Sequence, residues 1–298
     1  MRRLSPAANS GDKGFVLIFA IAACLLLAVI GLTVNRSVQS ALGGTRTAIA
    51  LAKARALADG GVALAVQRLQ AGIETRPLLC SIAGAGLVAM TIEDEAGKVS
   101  LNSNNVELLT ALFEGLGATP DDARRYVAAI SDYRDSDDRV QPGGAEREAY
   151  AAAGLTFGPK NADFQSVAEL DRVLGIPAGI RAFAKPHLTT ATVALGVDAT
   201  VASVDLLQLL AGSAPLSSGS APFGDRPALR SAFSAASTRS FYKIRSIGIV
   251  DGARYLRETV IARPQRPGES LRHINWLQGE INRSDEVLLA TADAPPPC

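Results

Sequence analysis

An acidic stretch in the middle of the chain has the composition of a cation-binding loop. Residues 132–138 read DYRDSDD, and a proline, two glycines and further acidic residues follow before Tyr150. Calcium prefers several hard oxygen ligands supplied by a flexible loop. Asp135, Asp137 and Glu146 are spaced like positions 1, 3 and 12 of an EF-hand loop. The spacing therefore raises calcium binding as one hypothesis for this loop.

The same loop departs from the EF-hand pattern. Arg139 stands at position 5 and Val140 replaces the glycine at position 6. The loop geometry must therefore differ from that of an EF-hand, and Asn161 is near enough in sequence to add an amide oxygen. A solvated acidic turn without a metal stays open as the alternative.

Nothing in the sequence indicates catalysis or nucleic-acid binding. The two histidines, His187 and His273, lie far in sequence from the acidic loop, and no P-loop, GxGxxG or CxxC motif is present. Lys plus Arg is 30 and Asp plus Glu is 29, which gives a net charge of +1. Proteins that bind nucleic acid typically carry a clear basic surplus. We therefore predict no catalytic or cofactor-binding residues, no enzyme activity and no nucleic-acid partner.

The N-terminal region contains an uncharged apolar stretch over residues 15–34. A helix of this length spans a bilayer core of about 30 Å. Basic residues precede the stretch, so the positive-inside rule places the short N-terminus in the cytoplasm. Three interpretations compete: a cleaved secretory signal, a lipoprotein signal with Cys24 as the lipidated residue, and a prepilin leader cut between Gly14 and Phe15. The apolar stretch is too long for the first and stays apolar after Cys24, against the second.

The periodicity of the remaining chain predicts an α+β fold. The apolar stretch continues into an Ala-rich amphipathic helix that reaches about residue 73. Residues 84–101 alternate and predict a β-hairpin whose turn is DEAGK at 94–98. Helices are predicted over 106–116, from Pro120 with Thr119 as N-cap, from a capping box at Ser166, and over 203–211. Two strands flank Asp251-Gly252, a strong hairpin signal, and residues 273–281 predict one more strand.

Two of the three cysteines, Cys80 and Cys298, lie on the same side of the membrane in this topology. A disulfide between them and two free thiols are both open, because the sequence does not show whether they are close in space.

Four stretches together give the chain a resemblance to the K-type minor pseudopilin of bacterial type II secretion systems, the general secretion pathway protein K family. They are KGF at 13–15 with ALADG at 56–60, GKVSLN at 97–102, ISDYRDSD at 130–137 with Glu146 and Tyr150, and KNADFQSVAEL at 160–170 followed by VLGI at 173–176. Residues 196–205, where that family has an Asn-rich motif, match poorly.

The resemblance implies a non-catalytic assembly component of a periplasmic pseudopilus that exports folded proteins. Prepilin peptidase would cut after Gly14, and Phe15 would become the methylated N-terminus. Most pilin-like proteins carry Glu at the fifth mature position, which here is Phe19. The K-type member lacks this Glu, and the lack is linked to a place at the tip. The expected location is the inner membrane, single-pass, with the soluble part in the periplasm.

The resemblance also implies partners, a cofactor and its ligands. The expected partners are the I-type and J-type minor pseudopilins, other pseudopilins and prepilin peptidase. The expected cofactor is structural calcium, bound by Asp135, Asp137, Glu146 and Asn161, with Asp132 as a further candidate.

The expected fold is a pilin-like long N-terminal helix packed on an antiparallel sheet, with an inserted mainly helical domain. The expected division is a leader (1–14), a transmembrane part (15–34) and a soluble part (35–73) of the N-terminal helix, a first part of the β domain (80–104), the helical insert (105–212), a linker (213–226), a second part of the β domain (227–285) and a tail (286–298). A minor pilin of a type IV pilus and a membrane-anchored periplasmic lipoprotein or enzyme are the alternatives.

Overall fold

A computed structural model describes residues 12–72, 77–212, 229–264, 269, 271–290 and 295–298, and within the first helix it leaves out the side chains of 12–16, 34 and 36–42. The predicted leader therefore lies mostly outside the described residues, and the predicted linker (213–226) lies wholly outside them. The helices are α1 Asp12–Gln70, α2 Val106–Gly115, α3 Pro120–Arg134, α4 Arg147–Ala152, α5 Ala178–Ala184, α6 Val204–Leu210 and α7 Arg283–Ala290. The strands are β1 Leu78–Ile82, β2 Gly86–Asp94, β3 Val99–Ser100, β4 Leu188–Thr189, β5 Phe241–Val250, β6 Ala253–Ala262, β7 Arg272–His273 and β8 Leu277–Gln278.

The main sheet is antiparallel and packs on the second half of α1. Its strand order is β1-β2-β5-β6-β7, and β8 also pairs with β6. The α+β prediction is thus confirmed. Apolar side chains at residues 17–32 of α1 are exposed. In the part of the chain that the structure describes, no helix combines the length and the apolar character that a membrane crossing requires.

Small residues let α1 approach β5 closely. Ala54 and Ala58 are fully buried in this contact. A Cβ added to Gly248 would lie 1.9 Å from the backbone oxygen of Ala54, and one added to Gly61 would lie 2.1 Å from Ser246 Oγ. The hydroxyl of Ser246 is buried without a hydrogen-bond partner. Side chains larger than hydrogen at these two glycines would force the helix away from the sheet.

The opposite face of the sheet is covered by α7. Leu79, Ala89, Ile247 and Leu256 form an apolar layer on this face, and leucines of α7 pack against it. Ion pairs reinforce the contact, including Arg245 with Asp285 at 2.6 Å. Residues 286–290, predicted to lie in the tail, are therefore part of the β domain.

Arg257 ties β6 to α1. It is 3% exposed, and its Nε donates to Asp59 Oδ1 at 2.6 Å. Its guanidinium lies 5.1 Å from the ring centre of Tyr255 and 5.0 Å from that of Trp276. The planar guanidinium of Arg can stack on aromatic rings, which the ammonium group of Lys does less well. Position 257 is therefore suited to Arg.

A mainly helical unit is inserted between β2 and β5, which are neighbours in the sheet. Asp94, the last residue of β2, pairs with Tyr242 at the start of β5. The insert has its own apolar core, to which every helix from α2 to α6 contributes. The core begins earlier and ends later than the predicted bounds of 105 and 212, because Val99 and Phe233 are both part of it.

The predicted hairpin with its turn at 94–98 is wrong. Residues 95–97 form a short 3₁₀ helix, and β3 pairs in parallel with β4 instead of folding back on β2. The hairpin partner of β2 is β1, which precedes it. Asn102, just after β3, connects this end of the insert to Phe164 through its side-chain amide. Its Nδ2 donates to Phe164 O and its Oδ1 accepts from Phe164 N, both at 2.9 Å.

A disulfide joins Cys80 of β1 to Cys298. Cys80 is fully buried against α1, whereas Cys24 is a free, exposed cysteine. The residues before Cys298 lie along β1, so the end of the chain is attached to the sheet.

Candidate metal centre in the acidic loop

The acidic residues are positioned by the end of α3, the start of α4 and the loop after α4. Thr119 caps α3 by accepting from the amide of Asp122, and Pro120 occupies its first turn, as the sequence predicts. The helix then extends to Arg134, where Asp135 takes an extended conformation as C-cap. This brings Asp132 onto the buried side of α3 and places Asp135 at the rim.

Asp132 is fully buried, and a glycine makes room for it. Both of its carboxylate oxygens accept from the amide of Gln141 at 3.3 Å. A Cβ on Gly144 would lie 2.0 Å from Asp132 Oδ2, so only glycine fits there. Burial, followed by the nearby charge of Asp135, raises the pKa of Asp132. No Lys or Arg of the described residues forms an ion pair with this carboxylate.

Asp135 has one satisfied and one unsatisfied oxygen. Its Oδ2 accepts from the side-chain amide of Gln141 at 3.3 Å, so Gln141 contacts both Asp132 and Asp135. Its Oδ1 is buried and has no hydrogen-bond partner. Asp137 differs, since it is exposed and its Oδ1 accepts from the amide of Arg139 at 2.9 Å.

Glu146 is the most poorly satisfied acidic residue of the loop. It stands at the N-cap of α4 but its side chain does not cap the helix. It is 3% exposed, and neither of its carboxylate oxygens has a hydrogen-bond partner. Burial raises its pKa, and the negative charge of Asp132, Asp135, Asp138 and Asp137 raises it further. A buried carboxylate without a partner is costly unless a cation compensates it.

Asn161 reaches the loop from a strained turn. Its φ of 52° lies in the left-handed region, and its amide and that of Lys160 both donate to Tyr133 O at 3.0 Å. Its side-chain nitrogen donates to Asp138 Oδ1 at 3.3 Å. Its Oδ1 is buried and unsatisfied, like Oδ1 of Asp135 and both Oε atoms of Glu146.

The unsatisfied oxygens belong to three of the four predicted ligands. Asp135 Oδ1, both Oε of Glu146 and Asn161 Oδ1 are all buried acceptors without a donor, and all are hard oxygens suited to calcium. Among the described residues, no group of three or more His, Cys, Asp or Glu side chains is already arranged around a common metal position. The chemistry of the unsatisfied donor set nevertheless fits calcium.

Sequence spacing did not identify two polar contacts of this site. Gln141 connects Asp132 to Asp135, and Asp138 holds the side chain of Asn161. Both contacts depend on how the loop folds back on α3. The paired glycines at 143–144 were the local signal, because a close approach of backbone to side chain commonly needs glycine.

A family model matches part of the chain. Residues 87–192 match the family model described as type II secretion system protein K. This range begins in β2 and runs past β4, so it contains the acidic loop, α4 and Asn161. None of the curated proteins matches the sequence.

Among solved structures, the fold is similar to a chain in the crystal structure of the GspK-GspI-GspJ complex from the enterotoxigenic Escherichia coli type 2 secretion system. The identity is 18% and the TM-score 0.56, with 82% of this chain and 99% of that chain covered. At this identity the likeness establishes the shared fold.

Proposed function

We propose that this chain is a minor pseudopilin at the tip of a secretion pseudopilus, because residues 87–192 match the family model of type II secretion system protein K. It acts as a structural, non-catalytic subunit in the export of folded proteins across the outer membrane. The observation that supports this proposal best is the combination of the family match with a pilin-like long helix packed on an antiparallel sheet.

The exposed apolar half of α1 supports a role in a filament. Leu17, Ile18, Leu25 and Leu32 are each at least 60% exposed, so the isolated chain leaves a long apolar surface without a partner. We propose that the uncharged stretch 15–34, which includes positions outside the described side chains, holds the subunit in the inner membrane before assembly, with the sheet and insert in the periplasm. Neighbouring pseudopilins cover this apolar surface of α1 after assembly.

Phe19 supports a position at the tip. A carboxylate at this position of a membrane helix is costly unless a group of the next subunit up satisfies it. A tip subunit has no neighbour above, and the apolar Phe19, 68% exposed on α1, needs none.

The first test is the N-terminus of the chain recovered from membranes that contain its prepilin peptidase. We expect a mature chain that starts at methylated Phe15. An intact leader, or lipid on Cys24, would contradict the pseudopilin assignment.

The second test concerns partners. The related structure contains GspI and GspJ, and we propose that this chain binds the corresponding I-type and J-type minor pseudopilins of its own system. Co-expression of the three full-length proteins followed by purification on one tagged subunit should recover all three. Recovery of this chain alone would contradict the proposal.

We also propose that calcium stabilises the insert. Asp135, Glu146 and Asn161 would hold it with their unsatisfied oxygens, with Asp137 and Asp132 adjacent. Bound calcium would supply the positive charge that these buried acceptors lack, and would link α3, α4 and the loop at Asn161. Titration of calcium into the calcium-free full chain should give saturable binding that Glu146→Gln weakens and the exposed neighbour change Glu148→Gln leaves intact. Equal binding by both variants would exclude Glu146 as a ligand.

A further inference from the structure

The end of the chain lies along an open edge of the main sheet. β1 is the first strand in the sheet order and has β2 on one side only. On its other side, the amide of Ser81 donates to Pro296 O at 2.7 Å, and the amide of Cys298 donates to Ser81 O at 3.0 Å. Ser81 and Pro297 form an isolated parallel bridge. We call Pro295–Cys298 the edge segment, because it occupies the position that a further strand would take.

The edge segment forms a weak strand. Residues 295–297 are all proline, which has no N–H, so only Cys298 of these four residues donates a backbone hydrogen bond. Both main-chain bonds that hold the segment go to one residue, Ser81. A strand without proline would pair with more of β1. The Cys80–Cys298 disulfide supplies the attachment that this sparse pairing lacks.

β1 itself has none of the features that usually keep a sheet edge from pairing with another chain. Its sequence is LLCSI, without charge, proline or glycine. Its side chains contribute to both apolar layers of the sheet, since Leu79 faces α7 and Cys80 faces α1. Two copies of β1 would meet without charge repulsion and would continue the sheet from one molecule into the next.

We infer that β1 is a strand-addition surface for β1 of a second copy of this chain, and that the disulfide-tethered edge segment keeps it closed. The prolines also protect the outer side of the edge segment. Because proline has no N–H, this side offers few hydrogen-bond donors to a further strand. The disulfide thereby keeps the protein from extending its sheet into another molecule. This inference is independent of the proposed secretion function.

The test compares full-length chains in detergent micelles. The cysteine-free variant Cys24→Ala/Cys80→Ala/Cys298→Ser releases the edge segment, and the control Cys24→Ala keeps the disulfide. We expect backbone amide exchange at Ser81 to become roughly tenfold faster in the monomeric cysteine-free protein at low concentration. At higher concentration that protein should form dimers in sedimentation experiments, whereas the control stays unchanged.

A rescue variant distinguishes strand addition from loss of structure. The Ser81 amide faces the edge segment and not β2, so adding Ser81→Pro removes an outward donor without removing a bond to β2. The cysteine-free protein with Ser81→Pro should return to the sedimentation behaviour of the control. Dimers that persist with Ser81→Pro would overturn the inference, as would a cysteine-free protein that stays monomeric at all concentrations.

Discussion

Replacing Glu146 by Gln should have opposite effects on stability with and without calcium. Without calcium, Glu146 is a buried carboxylate whose two oxygens have no donor and which faces four Asp side chains. Gln removes the charge at nearly the same volume and brings its own donors. Because a buried unsatisfied group costs roughly 1–3 kcal/mol, we expect the variant to be more stable than the parent in a chelator by about that amount.

With calcium, the order reverses. A ligand at about 100 times its dissociation constant stabilises the folded state by roughly 2.7 kcal/mol. For a domain of this size each kcal/mol moves the melting temperature by roughly 2–4 °C, so calcium should raise that of the parent by roughly 5–11 °C. Glu146→Gln replaces two charged carboxylate oxygens by one neutral amide oxygen, and the variant should lose most of this shift.

The assay is calorimetric melting of the full chain in calcium and in EDTA, with Glu148→Gln as the control on the same helix. Glu148 is exposed, so its variant should follow the parent in both buffers. The reasoning is refuted if EDTA leaves the parent's melting temperature unchanged. It is also refuted if Glu146→Gln keeps the full calcium shift, or melts below the parent in EDTA.

Three further predictions concern the scaffold. Gly60→Ala should stabilise α1 by roughly 0.5–1 kcal/mol, because nothing lies within 4 Å of the added Cβ. Gly61→Ala should instead destabilise the folded protein by roughly 1–3 kcal/mol, because its Cβ would clash with Ser246 and Val88. Equal effects of the two substitutions in urea unfolding would contradict the close helix–sheet contact. Arg257→Lys should cost roughly 1–3 kcal/mol in the same assay, since Lys cannot keep both ring contacts and the bond to Asp59; a neutral result would show that only the charge matters. Asn102→Asp removes the donor to Phe164 O and places a carboxylate oxygen beside that carbonyl. We expect the free energy of unfolding to fall by roughly 1–3 kcal/mol. Faster amide exchange at Phe164 is the measurement that checks this prediction.

Features that depend on a few consecutive residues could be predicted from the sequence. Thr119 and Pro120 start α3, Ser166 and Glu169 form the expected capping box, and Asp251-Gly252 forms the turn between β5 and β6. In each case the backbone groups that need partners find them within a few residues, so the local pattern is sufficient.

Pairings between distant segments could not be predicted in this way. Val99 and Ser100 alternate like a hairpin strand, yet their partners are Leu188 and Thr189, far along the chain. The burial of Val99 and Leu188 in the insert core outweighs the local turn signal of DEAGK. β-Propensity indicates that a segment can form a strand, but packing decides which strand it joins.

The candidate site shows the same division. The spacing of the acidic residues identified Asp135 and Glu146, and proximity in sequence suggested Asn161. The burial of Asp132 against Gly144 and the link through Gln141 depend on the loop folding back, which no local pattern specifies. Asp137, chosen by the EF-hand spacing, is exposed and bonded within its own turn, because this loop does not follow the EF-hand path.

The position of the insert has a consequence for how such a protein can change over evolutionary time. The chain leaves the sheet at Asp94 and re-enters it opposite that residue, at Tyr242, so the whole insert replaces what would otherwise be a tight turn between β2 and β5. The rest of the β2–β5 pairing, from Glu93 to Leu87 on β2, does not depend on the length of this connection. A lineage could therefore enlarge, reshape or discard the insert while leaving the long helix and the main sheet untouched.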